Sequence, residues 1–346
     1  MRALKLVGPG QLEIQEIAIP ALGDHDLLVK VAAAGLCHSD LHILHQGPEW
    51  PFFGTTMGHE TSGHVSDKGA AVGSFDVGDP VLVKAVWSCG QCRPCQLGRE
   101  NACAATGSRT VFPLTPGIGA DGGMAEYIRV DARHVDLLGT IDPITAAPLA
   151  DAGLTPMHAI NSSRGLLVNR ATAVVTGFGG LGHMAMQILG AQTDAAVIVI
   201  EPDGAKRDAA VQAGAVCALN PADDVVARIL KDTNGYGVDA VYDFVGNQAT
   251  LDIAAAVVAP EGAIRVVGLA DGQISVHASL EGERLPWGVS VQRAYGGTSH
   301  DQAEVLRLAA TGELAVETTS YRLDDFQRAF DDLEAGRISG RAVLVP

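Results

Sequence analysis

Aromatic side chains are scarce in this 346-residue chain, at 5% of the sequence, which leaves few flat rings on which single-stranded bases could stack. Basic residues are under-represented too: 24 Lys and Arg stand against 40 Asp and Glu, a formal charge of −16. A field of that sign repels phosphates, so no nucleic-acid partner is expected. No apolar run reaches the roughly 18 to 20 residues needed to cross a bilayer, and no membrane partner is expected either. The first residues, Met1-Arg2-Ala3-Leu4-Lys5-Leu6-Val7-Gly8-Pro9-Gly10, lack the apolar core and small-residue cleavage site of a secretory signal. A cytoplasmic protein is therefore expected.

What is present suggests two domains, since the length exceeds what one ordinary core occupies. Short alternating segments such as Leu12-Glu13-Ile14-Gln15-Glu16-Ile17 and Leu27-Leu28-Val29-Lys30-Val31, separated by Gly and Pro, predict a mostly β domain over residues 1–147. From about Pro148 the pattern changes. Ala173–Thr176, Ala196–Ile200, Ala240–Val245 and Ile264–Val267 read as buried parallel strands separated by helices, an α/β domain over residues 148–285. Residues 286–346 return to mixed segments, with an amphipathic helix over Ala303–Ala310, and are expected to complete the first domain.

After the strand at Val174-Val175 the chain reads Gly177-Phe178-Gly179-Gly180-Leu181-Gly182 and enters an apolar helix, the order strand, G-x-G-x-x-G, helix. Gly177 suits a tight turn, Gly179 lets backbone approach a pyrophosphate, and Gly182 allows close packing of helix on strand. A second strand ends at Ile200-Glu201, about 20 residues on, where an acid can accept hydrogen bonds from the adenosine ribose. Glu201 would repel a 2′-phosphate and is followed by Pro202-Asp203-Gly204 rather than arginine, which favours NAD over NADP. Lys206 either helps fix that ribose or is simply solvated. The competing reading is a glycine turn that binds nothing, with Glu201 a surface acid at a strand end.

Four of the six cysteines, Cys89, Cys92, Cys95 and Cys103, fall within fifteen residues, in a lobe spanning 88–104. Four thiolates at this spacing can surround a tetrahedral zinc and leave it no open position, so the site reads as structural. Disulfides fit poorly with a cytoplasmic protein. An iron–sulfur motif would leave three residues between the third and fourth cysteines and follow the fourth with proline, whereas here seven intervene and alanine follows.

Upstream lie Gly35-Leu36-Cys37-His38-Ser39-Asp40-Leu41-His42 and Gly58-His59-Glu60. A thiolate and an imidazole suit zinc, but spacing alone does not locate a third ligand. Asp40 is suited to orient His59 through its second ring nitrogen. Taken in order with the cysteine lobe and the glycine turn, these segments resemble the zinc-containing medium-chain alcohol dehydrogenases over essentially the whole chain. The resemblance implies a GroES-like catalytic domain beside the Rossmann domain. It makes Cys37 and His59 ligands of a catalytic zinc and aligns Asp151 with the third ligand, where many members carry cysteine; the aspartate is similar to the pattern of bacterial NAD-dependent secondary-alcohol dehydrogenases. Asp151 also reads as a simple helix N-cap before Ala152-Gly153-Leu154.

The same resemblance places Glu60 beside zinc, makes Ser39 and His42 a proton relay, and sets His38 and Arg341 near the cofactor phosphates. It lines the nicotinamide side with Thr155, Val245, Gly268 and Leu269. Trp87, Trp50, Phe52 and Tyr295 are candidates for an apolar substrate pocket, with core packing as the alternative. His45 reads as a surface histidine and Cys217 as a small buried residue of the Rossmann half. The expected protein is an enzyme holding two zinc ions and NAD, acting on a secondary alcohol or its ketone, and assembled as a homodimer or homotetramer. A primary-alcohol or polyol dehydrogenase is the near alternative. A non-catalytic NAD-binding structural or sensing protein is the distant one.

Overall fold

The computed structural model describes residues 1–278 and 285–346, and in it strand Asp26–Leu36 is the spine of one of two units. That unit comprises Met1–Leu154 and Gly296–Pro346; the other comprises Thr155–Tyr295. Residues 27–29, 31 and 33–36 of the spine are buried while Lys30 faces solvent, as expected for a strand covered more completely toward its C-terminal end. It pairs antiparallel with Glu60–Lys68 along one edge. Along the other it pairs with Tyr127–Asp131 at its start and with Arg341–Val345 at its end.

The sheet runs Thr318–Arg322, Arg341–Val345, Asp26–Leu36, Glu60–Lys68, Pro80–Val83, Val135–Leu137, and a hairpin of Arg2–Gly8 with Gln11–Glu16 stands apart from it. Register is what matters for chemistry. Gly35 lies opposite Glu60 on one side and Val343 on the other, and Leu36 lies opposite Ala342. Cys37, His59, Glu60 and Arg341, scattered through the sequence, therefore arrive at one end of three adjacent strands.

The second unit holds a six-stranded parallel sheet in the order Cys217–Leu219, Ala196–Ile200, Thr172–Thr176, Val238–Asp243, Val258–Val266, Ser290–Arg293. Numbered along the chain this is 3-2-1-4-5-6, the doubly wound Rossmann order. Val174, Ile198, Val241 and Ile264 are all nearly or fully buried in one cluster, each contributing about 1.5–3 kcal/mol through burial. Both boundaries fall later than expected, after Leu154 and after Tyr295. Ser290–Arg293, expected in the return segment, pairs with Val258–Val266 at the edge of this sheet; at four residues with three of them exposed, it carries too little apolar pattern to be read as a strand. The expected helix near residues 303–310 spans Ser299–Thr311 and is capped by Thr298 and Asp301. No helix among the described residues is long and apolar enough to cross a membrane.

Candidate metal centres and dinucleotide turn

Cys37 follows the spine strand directly and caps helix His38–Leu44. His59 immediately precedes the neighbouring strand, and Asp151 follows the turn Ala147–Ala150. One donor atom from each of Cys37, His59, Glu60 and Asp151 lies within 4.8 Å of all the others. His59 Nε2 stands 3.6 Å from Asp151 Oδ2, and Cys37 Sγ stands 3.9 Å from the same oxygen. Ligands about 2.0–2.3 Å from a tetrahedral zinc are separated from one another by about 3.3–3.8 Å, so the donors are spaced as that ion requires.

A buried carboxylate ties two of these positions together. Asp40, fully buried, accepts the Cys37 backbone N–H at 2.8 Å through Oδ2 and faces His59 Nδ1 at 3.3 Å through Oδ1. The two facing atoms are close but make no hydrogen bond as placed, and a carboxylate in that position is suited to orient the ring. Burial disfavours the His59 imidazolium, but the charge of Asp40 and the nearby Asp151 outweigh it and raise the histidine pKa well above its ordinary value.

Glu60 stands in the cluster with its oxygens already engaged. It accepts two hydrogen bonds from Arg341, one of them from Nε at 2.9 Å, and a third from the Ala152 N–H at 3.1 Å. Both members of the pair are almost completely buried. Burial raises the Glu60 pKa, opposed by the arginine, while the surrounding anions hold the guanidinium proton still more firmly than usual. Arg341, expected near the cofactor phosphates, has Glu60 as its partner here, which spares the carboxylate the high cost of isolated burial. Through the Ala152 amide, Glu60 also fixes the backbone next to Asp151.

Ser39 Oγ lies 3.6 Å from Cys37 Sγ, whereas His42 and His38 are exposed on the same helix. Trp50 and Phe52 meet edge to face at 5.2 Å and Trp50 packs against the core around Leu4 and Leu36. Trp87 stacks on His134 at 5.7 Å and packs against the cluster around Val83 and Val135, and Tyr295 belongs to the other unit. The indole N–H groups of Trp50 and Trp87 are buried without an acceptor.

In the cysteine lobe the sulfurs of Cys92 and Cys95 are 3.4 Å apart, those of Cys92 and Cys103 3.8 Å, and those of Cys89 and Cys95 4.0 Å. These distances exclude disulfides and bracket the roughly 3.8 Å edge of a tetrahedron with 2.3 Å zinc–sulfur bonds. Backbone N–H groups of Gln91 and Cys92 point at Cys89 Sγ, and that of Cys89 at Cys103 Sγ. At Cys103 burial pushes the thiol up, but the Thr106 hydroxyl and backbone donors overcome it and bring the pKa down to about 5. Cys95, buried beside Cys92, is pushed up to about 12.

In the second unit, Gly177 has φ +84, and a Cβ on Gly182 would stand 1.9 Å from the Gly177 carbonyl oxygen. Nothing lies within 4 Å of where a Gly179 Cβ would be, at the start of helix Gly180–Gln192. The turn therefore keeps an open cradle at a helix N-terminus, suited to a pyrophosphate. Leu181 is half-buried, and Phe178 is buried with its ring 5.6 Å from that of His183. Glu201, 6% exposed, accepts the Phe178 N–H at 2.7 Å and the Asp203 N–H at 3.0 Å. Arg207, missed in the sequence, donates to the carbonyls of Glu201 and Pro202; Lys206 is half-buried beside it. Thr155 is buried, Val245 and Gly268 are half-buried, and Leu269 is exposed. Cys217 is half-buried and His45 exposed, 3.7 Å from Glu334.

Comparison with known proteins matches two stretches of the chain. Residues 23–139 match the family described as alcohol dehydrogenase GroES-like domain, and residues 180–311 match zinc-binding dehydrogenase. The chain is 32% identical to an NAD-dependent alcohol dehydrogenase of Sulfurisphaera tokodaii, with all of both chains covered. It is 30% identical to the D-arabinose 1-dehydrogenase (NADP(+)) of Saccharolobus solfataricus, over 97% of this chain and 94% of that one. Among solved structures, acetophenone reductase from Geotrichum candidum in complex with NAD superimposes with a TM-score of 0.84 at 28% identity, covering 99% of this chain and 96% of the other. With a full-length relative a third identical, and with the ligand clusters and glycine turn in place, the chain belongs to the zinc-containing medium-chain alcohol dehydrogenases.

Proposed function

We propose that the protein interconverts a secondary alcohol and its ketone with NAD(H). The observation that carries the substrate class is Asp151: a carboxylate, rather than a third soft thiolate or imidazole, completes the set with Cys37 and His59. Carboxylate oxygen donates less electron density than thiolate, which leaves the metal more electrophilic. Zinc held by these residues would act as a Lewis acid that lowers the pKa of an alcohol hydroxyl, and NAD would accept the hydride. The balance is alcohol plus NAD⁺ giving ketone, NADH and a proton.

The chain's own groups do the rest. Asp40 holds His59 in the tautomer that presents Nε2. Glu60 and Arg341 hold the Asp151 segment against the sheet. Ser39 and His42 carry the released proton outward, the hydroxyl near the reacting oxygen and the exposed imidazole in contact with solvent. NAD is preferred because Glu201 keeps a negative charge at the strand end, fixed by two backbone N–H groups, where a 2′-phosphate would have to sit. The fungal relative's named substrate is a ketone, which agrees with this reading. An oligomer of two or four chains is part of the proposal.

The test is the rate of NADH formation from 1-phenylethanol and 2-propanol against ethanol and D-arabinose, repeated with NADP⁺ and after zinc chelation. Faster turnover of the secondary alcohols with NAD⁺, abolished by chelation, is expected. Preference for ethanol or for the sugar would replace the substrate class, and preference for NADP⁺ would overturn the role given to Glu201.

A further inference from the structure

Asp243 ends the fourth parallel strand, Val238–Asp243, with no exposed surface and a carboxylate that faces no cation among its recorded partners. Its Oδ1 accepts the N–H groups of Val245 at 2.9 Å and Gly246 at 3.0 Å; its Oδ2 accepts the Thr250 hydroxyl at 2.7 Å. Its own carbonyl takes the N–H groups of Val267 at 2.8 Å and Gly268 at 3.1 Å, from the loop after the neighbouring strand. The two loops interlock so tightly that a Cβ on Gly268 would stand 2.1 Å from the Val245 carbonyl carbon. The Gly272 N–H closes the arrangement by donating to the Gly246 carbonyl at 2.9 Å. One buried residue therefore sets the position of both loops.

The sheet order says what those loops face. Ligands of a doubly wound sheet lie beyond the C-terminal strand ends, with the pyrophosphate at the first turn. Glu201 lies on one side of that turn, after Ala196–Ile200, and claims the adenosine half. Val238–Asp243 and Val258–Val266 lie on the other side, which leaves their loops to the nicotinamide half. A buried carboxylate with no counter-ion is expensive, and burial pushes its pKa above the ordinary carboxylate range despite the three donors.

We propose that Asp243 is a positioning residue for the nicotinamide end of the cofactor, holding Val245 and Gly268 where that ring docks. The inference rests on the nicotinamide-cofactor reading above. The test measures dissociation constants of NADH and of ADP-ribose, which lacks the nicotinamide, for the wild-type protein and for Asp243→Ala and Asp243→Asn. NADH binding should weaken about tenfold in Asp243→Ala and less in Asp243→Asn, which keeps one acceptor oxygen. ADP-ribose affinity should stay within about twofold. Equal weakening of both ligands, or of neither, overturns the proposal. If the wild-type protein itself binds neither NADH nor ADP-ribose, the cofactor reading fails instead. Should Asp243→Ala not fold, Thr250→Val removes one of the three donors and should show the same selective loss at about threefold; no selectivity there overturns the proposal equally.

Discussion

The cysteine lobe and the Cys37–His59–Asp151 cluster are both sets of metal-type donors in the same unit, yet they are assembled by opposite means. The lobe draws four sulfurs from fifteen consecutive residues and is organised by its own backbone N–H groups. The cluster draws its donors from segments 114 residues apart and depends on buried charges, Asp40 and the Glu60–Arg341 pair, to hold them in register. A local set can close around its ion with four equivalent ligands. The long-range set has three donors and a fourth, Glu60, already bonded elsewhere, so a zinc held there as proposed would keep a coordination position for chemistry.

The strongest way to break this contrast is to remove one ligand from each set. Cys37→Ala should lower turnover by at least about a thousandfold, since the metal contributes several kcal/mol to the transition state. Metal analysis should then find about one zinc per chain in place of two. Cys103→Ser should also lose one zinc, but with turnover changed only a few-fold and with proteolysis of the 88–104 segment as the visible consequence. If both variants lose activity alike, the lobe is not merely structural.

How much of this was legible beforehand follows the same division. The lobe and the glycine turn could be read from spacing because their chemistry is local: Cys89 to Cys103, and Gly177 to Gly182, leave few alternatives once the residue types are fixed. Asp151 could not. Nothing in Pro148-Leu149-Ala150-Asp151 distinguishes a metal ligand from a helix cap, and only resemblance to a family singled it out; the structure then placed its carboxylate beside His59 and Cys37. The Glu60 partner of Arg341 was not legible for a related reason. Its contact with Glu60 follows from a strand register that joins the two ends of the chain, which no local pattern encodes. Asp243 and Arg207 were passed over because an acid at a strand end and a basic residue on a surface helix are common. Their distinction lies in which backbone groups they meet.

The second test concerns the buried charges that the long-range cluster needs. Arg341→Met should destabilise the protein by about 3 kcal/mol or more, because it strands the Glu60 carboxylate in a site with no solvent. Combining it with Glu60→Gln should recover much of that loss, as the remaining side chain is neutral. Urea unfolding of the two single variants and the double variant gives the cycle. A cost under about 1 kcal/mol for Arg341→Met would mean the pair does not lock the strands, and the contrast with the self-sufficient lobe would lose its physical basis.

The smallest effect is expected at an exposed counterpart of that buried pair, and pH reads it. Glu126 accepts the Arg2 backbone N–H at 2.8 Å and its Nε at 3.1 Å, while Arg2 also reaches Asp324, so three distant segments meet here as they do at Glu60. The Arg2 backbone N–H, then its side chain, holds the Glu126 pKa below the usual 4.5. A depressed carboxylate stabilises the fold above its unfolded pKa, and that contribution disappears as pH falls from near 4.5 through the folded value. Glu126→Gln should therefore have a slightly lower Tm than wild type at pH 7, and the gap should close in acid below pH 4.5. Both side chains are about a third exposed, so solvent screens the pair and the difference at pH 7 should stay within about 1 kcal/mol. A gap as large as that of Arg341→Met, or one that widens in acid, would show that exposure does not separate the two ion pairs, and that burial is not what makes the pair behind the metal cluster indispensable.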